Sequence, residues 1–145
     1  MAALFRSAEG FARSWEACRS QHPGARWAVL DTNRLTVAAA GAGGRLFQLQ
    51  ADGGICEFTG VPMTGWSKLD ANKLTTAIVA DGNQLYQLHE NGAIWRYTGT
   101  PLTGWARIGG EANTLRIYTA GNELYELRED GLLLRWTPPP PPPLP

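Results

Sequence analysis

Gln84-Leu-Tyr-Gln-Leu-His-Glu-Asn-Gly92-Ala-Ile-Trp-Arg-Tyr-Thr-Gly99-Thr-Pro-Leu-Thr-Gly-Trp105 is the middle one of three related stretches in this chain. One counterpart opens at Arg45, and the other at Glu123. Trp27, Trp66 and Trp105 keep a constant interval (66 − 27 = 39 and 105 − 66 = 39), as do Leu46, Leu85 and Leu124. A fixed period in this range means one supersecondary unit used repeatedly, each copy needing its neighbours to bury its apolar faces.

The unit reads as four short strands. Leu74–Ala80 is a β-branched run ended by Asp81-Gly82-Asn83, and Gln84–His89 follows. Glu90-Asn91-Gly92 is an Asn-Gly turn of the kind that closes tight hairpins. Ala93–Tyr97 is the third strand, Thr98–Gly104 a longer turn, and Trp105–Ile108 the fourth strand. Such a unit is an antiparallel meander. Side chains alternate along a strand, so Trp95 and Tyr97 face one way, Ile94 and Arg96 the other. Large groups on both faces require a layer on each side. A β-propeller provides this by packing every blade between two neighbours, whereas a β-solenoid uses shorter repeats and parallel strands. The small residues of Ala38–Gly41 and Ala77–Ala80 suit first strands that crowd toward a central channel. The predicted class is therefore all-β, a β-propeller of three four-stranded blades over residues 24–137.

The count does not close. The third copy has strands over Thr114–Thr119, Glu123–Arg128 and Leu132–Trp136, then runs into Pro138. The missing fourth strand stands at the front, as Trp27-Ala-Val-Leu30. Three blades are fewer than the four to eight typical of propellers. Either the chain belongs to a longer protein or several chains share a ring. Two chains make six blades, each N-terminal strand completing the third blade of its partner. A homo-oligomer, a dimer of three blades each, is the expectation.

Thirteen basic and thirteen acidic side chains cancel. A nucleic-acid partner needs a cationic excess to displace counterions, and none is expected here. No long apolar run predicts a membrane span. Residues 1–23 form an extension with two readings. Phe5, Ala8, Phe11, Trp15 and Cys18 recur at helical spacing, while Leu4-Phe-Arg-Ser7 echoes Ile94-Trp-Arg-Tyr97 as a decayed strand. Met1–Gly10 carries an early acid and no sustained apolar stretch, which predicts a cytoplasmic protein or one released without a classical signal peptide. Cys18 and Cys56 have no C-x-x-C partner, so buried, unreactive thiols are expected rather than a disulfide framework or zinc site. Residues 138–145 form a polyproline tail, a stiff spacer or a ligand for profilin, SH3 or WW-type domains.

Catalysis is not expected, nor is a cofactor or metal. Of the histidines, His22 and His89, the latter replaces Gln50 and Arg128 and reads as an exposed variant. Asp52, Asn91 and Asp130 each precede a glycine and are explained by turn chemistry. Other recurring groups lack that explanation: Asp31/Asp70 and Asn33/Asn72 before the first strand, Gln48/Gln87/Glu126 mid-strand, and the aromatic set Phe58/Tyr97/Trp136. An aromatic ring covers the C–H face of a sugar while amides and carboxylates take its hydroxyls. Trp27, Trp66, Trp105, Asp70, Asn72 and Tyr97 are accordingly the candidate carbohydrate-binding residues, with core packing as the competing role for each aromatic.

The stretch Gln84–Gly99 followed by Gly104-Trp105 resembles the repeats of tachylectin-type and tectonin-type propeller proteins, over roughly Gly24 to Thr137. The repeat is shorter than the usual tachylectin unit because its last turn is compact. The resemblance implies a propeller with one shallow site per blade or junction, commonly for N-acetylated or other surface sugars. Two functions follow as expectations: a multivalent lectin gaining avidity from repeated sites, or a protein-interaction scaffold using the rim or the proline tail.

Overall fold

The computed structural model describes residues 26–138, 140, 143 and 144. The chain divides into two units, Met1–Leu30 and Asp31–Pro145. In the first, the described residues Arg26–Leu30 form neither strand nor helix, and Trp27 is 85% exposed. The extension over residues 1–23, with its helix and decayed-strand readings and Cys18, lies outside the described residues.

The second unit is built of antiparallel meanders. The first sheet has the order β1 (Thr36–Ala42), β2 (Arg45–Gln50), β3 (Ile55–Phe58), β4 (Trp66–Asp70). The second repeats it with β5 (Thr75–Asp81), β6 (Gln84–His89), β7 (Ile94–Tyr97) and β8 (Trp105–Gly109). The third comprises β9 (Thr114–Ala120), β10 (Glu123–Arg128) and β11 (Leu133–Trp136). Every strand read from the sequence of the second and third copies forms, with ends displaced by one residue or less. No helix occurs among the described residues, so none is long and apolar enough to cross a membrane.

Two apolar clusters fill the spaces between sheets. Phe47, Leu49, Ile55 and Leu69 of the first sheet meet Ile78 and Leu85 of the second, with Tyr97 and Trp105 packed against them. Tyr86, Leu88 and Ile94 on the other face of the second sheet meet Ile117 and Leu124, joined by Trp136. Strand alternation explains the split, since Leu85 and Tyr86 are neighbours on opposite faces. Inner strand β5 lies next to both β1 and β9, where Ala38, Ala40, Ala77 and Ala80 permit close approach. The three sheets fit a propeller-like succession of blades, and among the described residues they close no ring.

One expectation needs correction. Trp27–Leu30 is not a strand in this chain: it joins no ladder of the described sheets, and a strand exists only within such a ladder. The Glu90-Asn91-Gly92 turn closes the tight hairpin between β6 and β7, as read from the sequence. Gly92 N donates to His89 O at 2.9 Å, His89 N donates to Ala93 O at 2.9 Å, and only Gly92 has positive φ (87°). This is a type I turn followed by a left-handed glycine. Two-residue turns lie between the first and second strands, as at Gly43-Gly44 (φ 58° and 75°) and Gly121-Asn122 (φ 57° and 67°).

The third sheet stops for a local reason. Gly60 and Gly99 open the last turn of the first two copies with φ of 103° and 109°. Pro138 occupies that position in the third copy, and its ring holds φ near −65°. The turn that leads β3 into β4 and β7 into β8 therefore cannot be built after β11. Of the tail, Pro138, Pro140, Pro143 and Leu144 are described and belong to no strand or helix.

Candidate functional site

Asp70 ends β4 and Asn72 follows in the loop, and both side chains first shape their own backbone. Asp70 Oδ1 accepts from Ala71 N at 2.8 Å, and Asn72 Oδ1 accepts from Leu74 N at 2.6 Å. Their remaining polar atoms turn toward the second sheet. Gln87 Nε2 donates to Asp70 Oδ2 at 2.5 Å, and Asn72 Nδ2 lies 2.9 Å from Thr75 Oγ1 and 3.1 Å from Gln87 Oε1. His89 Nε2 lies 2.7 Å from that same Gln87 oxygen. Gln87 is 1% exposed, and this array answers the polarity of a mid-strand amide with side-chain partners rather than backbone.

Proton positions follow from the network. Ionised Asp70 offers only acceptors, so Gln87 must turn its NH₂ to Asp70 and its oxygen to His89. His89 Nε2 therefore carries a proton and donates. His89 is buried, not the exposed variant its irregular recurrence suggested, and its ring stacks on Trp95 at 5.6 Å and 27°. Burial foremost pulls its pKa below the usual 6.5, with the Asp70 charge opposing.

These groups border a cavity of about 250 Å³ between the first and second sheets, with Asp70, Asn72, Gln87 and His89 on its polar side and Trp95, Leu102, Thr103 and Trp105 completing it. The turn before β8 holds it in place. Leu102 N and Trp105 Nε1 both donate to Leu69 O, at 2.8 and 2.9 Å. Trp95 Nε1 is buried without a hydrogen-bond partner among the described residues.

Asp70, Asn72 and Trp105 of the candidate set thus meet at one cavity. Tyr97 does not line it: it packs beside Trp105, ring centroids 5.0 Å apart, against the apolar cluster. Trp66 occupies the place of Trp105 in the first sheet and packs on Phe58 at 5.1 Å. Trp27 lies in the N-terminal unit, exposed. Five lining residues, Gln87, His89, Trp95, Leu102 and Thr103, fall outside the candidate set. Gln87 was signalled by recurrence, whereas His89 and Trp95 are peculiar to the second copy.

The equivalent positions differ in chemistry. In the first copy Gln48 Nε2 donates to Asp31 Oδ2 at 3.0 Å and Gln50 replaces His89, while Cys56 stands where Trp95 does. The Gln48 hydrogen bond, then the Asn33 amide, hold the Asp31 carboxyl below its usual range. Burial pushes the Cys56 thiol up, as suits the unreactive role expected of it. In the third copy Arg128 pairs with Glu126 at 2.9 Å, and Glu126 also accepts from Thr114 Oγ1 at 2.8 Å. Among the described residues no group of acidic, histidine and cysteine side chains could hold a metal ion.

Turn carboxylates and amides behave as expected: Asp52, Asn91 and Asp130 each accept from a backbone N–H two residues on, at 2.9 to 3.0 Å. Compared with known proteins, the chain matches no family model and no curated protein.

Proposed function

We propose that the three sheets are consecutive blades of a β-propeller and that the protein is a non-catalytic, carbohydrate-binding lectin. One observation carries the reading: between the first two sheets, a convergent carboxylate–amide–imidazole array borders the same cavity as two indoles. Asp70, Asn72 and His89 supply acceptors and donors for hydroxyls, while Trp95 and Trp105 supply flat apolar surface. The resemblance to tachylectin-type and tectonin-type repeats makes N-acetylated sugars the first ligands to test. The copies are unequal, so the principal site is at Asp70–Trp105, one per chain, and multivalency comes from the number of chains.

The test uses residues the repeat already tolerates. His89→Gln introduces the residue of the first copy, and Trp95→Leu that of the third. A glycan array followed by calorimetry should find a sugar whose affinity falls about tenfold or more in each variant, the size of one lost contact of ~1.4 kcal/mol. A blank array, with retention of the chain on a profilin, SH3 or WW-type column, would favour the scaffold reading instead.

A further inference from the structure

The third sheet presents to solvent the surfaces that the other two bury. Ile55 is 0% and Ile94 4% exposed at the head of their strands, whereas Leu133 at the same place in β11 is 62% exposed. Tyr86 and Leu88 are buried between sheets, and their equivalents Tyr125 and Leu127 are only half-buried. The complementary deficit lies on the first sheet. Ile78 and Ile117 are buried, and Ala39 at their position in β1 is exposed. One end of the stack thus carries the face that the second sheet offers onward. The other carries the face that the second sheet offers back.

The edge of β11 is incomplete in the same sense. In the complete sheets, Phe58 pairs with Trp66 and Tyr97 with Trp105 across the last two strands. Trp136 stands at the place of Phe58 and Tyr97, beside a cavity of about 200 Å³ bordered by Ile108, Gly110 and Leu134. Ile108 is the counterpart of Leu69, whose carbonyl accepts the Trp105 indole. Pro138 prevents the chain from turning back to supply the missing strand.

We propose that the outer face and free edge of the third sheet bind a second copy of this chain head to tail. That copy's Trp27–Leu30 becomes the fourth strand on β11, and its first sheet becomes the next layer over Leu133, Tyr125 and Leu127. Trp27 of the second copy packs on Trp136 and donates its Nε1–H to Ile108 O, filling the cavity. Its spacing of 39 from Trp66 places it one repeat before that strand, and Thr36 at the head of β1 follows Trp27 at the same interval as Thr75 at the head of β5 follows Trp66 (36 − 27 = 9 and 75 − 66 = 9). A heterologous contact of this kind closes into a ring when its rotation permits. It also covers an edge that would otherwise invite aggregation. The inference rests on the blade reading above and is independent of the glycan reading.

Light scattering on the full chain should give a mass that is a whole multiple, two or more, of 15.8 kDa. Leu133→Glu changes a side chain that is exposed in the single copy, and it should reduce the mass to one chain while keeping the β-sheet circular dichroism. Trp27→Ala should do the same. An equimolar mixture of Ala28→Cys chains and Arg135→Cys chains should form a disulfide between the two kinds, because Ala106 and Arg96 are paired at that register. A single-chain mass for the unaltered protein at every concentration overturns the proposal, as does an unchanged mass in both variants. Should a variant unfold, the cysteine mixture decides: no mixed disulfide means no such interface. Sugar binding by a chain that remains single would leave the lectin reading standing while this one fails.

Discussion

At the residue scale, the chemistry of the site turns on Gln87, whose orientation is set by Asp70 and in turn sets the proton on His89. A buried imidazole resists charging, so the folded state gives up the His89 proton at a lower pH than the unfolded chain. The unfolded state therefore takes up the proton first, and stability declines as pH falls below about 6.5 until the folded pKa is passed. Melting temperature should drop between pH 7 and pH 5, and His89→Gln should flatten that segment of the curve. An identical slope in the variant would remove His89 from the account. Asp31 acts in the same direction further into acid: the stabilisation from its Gln48 hydrogen bond is present above the usual carboxyl pKa of 3.8 and fades as pH passes below the depressed value. Gln87 could be read from the sequence because it recurs where a core strand wants an apolar group. His89 and Trp95 could not, since a side chain unique to one copy shows no burial in its spelling.

At the element scale, turns decide where strands begin and end. Gly92 and Gly131 are equivalent, with φ of 87° and 88°, yet they differ in surroundings. A Cβ on Gly92 would run into the backbone carbonyl of Glu111, whereas one on Gly131 meets nothing. Gly131→Ala should cost about 1 kcal/mol, from the left-handed backbone alone. Gly92→Ala should cost about 1–3 kcal/mol more, because backbone must shift. Urea unfolding of the two variants compares them directly, and equal costs would contradict the packing of that turn on the next loop. Strand limits were legible to within about one residue, since glycines, prolines and β-branched runs act locally. The turn type at Asn91 was not: the letters Asn-Gly permit both a two-residue hairpin and a type I turn with a left-handed glycine. The wider His89–Ala93 closure selects the second.

At the scale of the whole molecule, the second of the three described sheets is the one packed between two others. Leu85, at the centre of the first cluster, is 2% exposed, and Leu85→Ala should destabilise the fold by ~2–5 kcal/mol. In the single-copy variant Leu133→Glu, amides of β6 should exchange with solvent more slowly than those of β10, which has an apolar layer on one face only. Equal protection would mean that the sheets do not stabilise one another as the two clusters require. The order of the sheets was legible from the 39-residue period, and so was the deficit of one strand. Which face of each sheet stays uncovered depended on burial that only neighbouring sheets create.

By itself, the sequence determined the repeat, the meander, the strand limits and the polar residues that recur against the apolar pattern, because these follow from backbone preference and side-chain alternation. Tertiary structure decided that Asp70 and Gln87, 17 positions apart, share a hydrogen bond, that His89 is buried against Trp95, and that Leu133 is exposed where Ile55 and Ile94 are not. Those facts arise from how one sheet covers the next, and a contact between layers has no signature in any single strand.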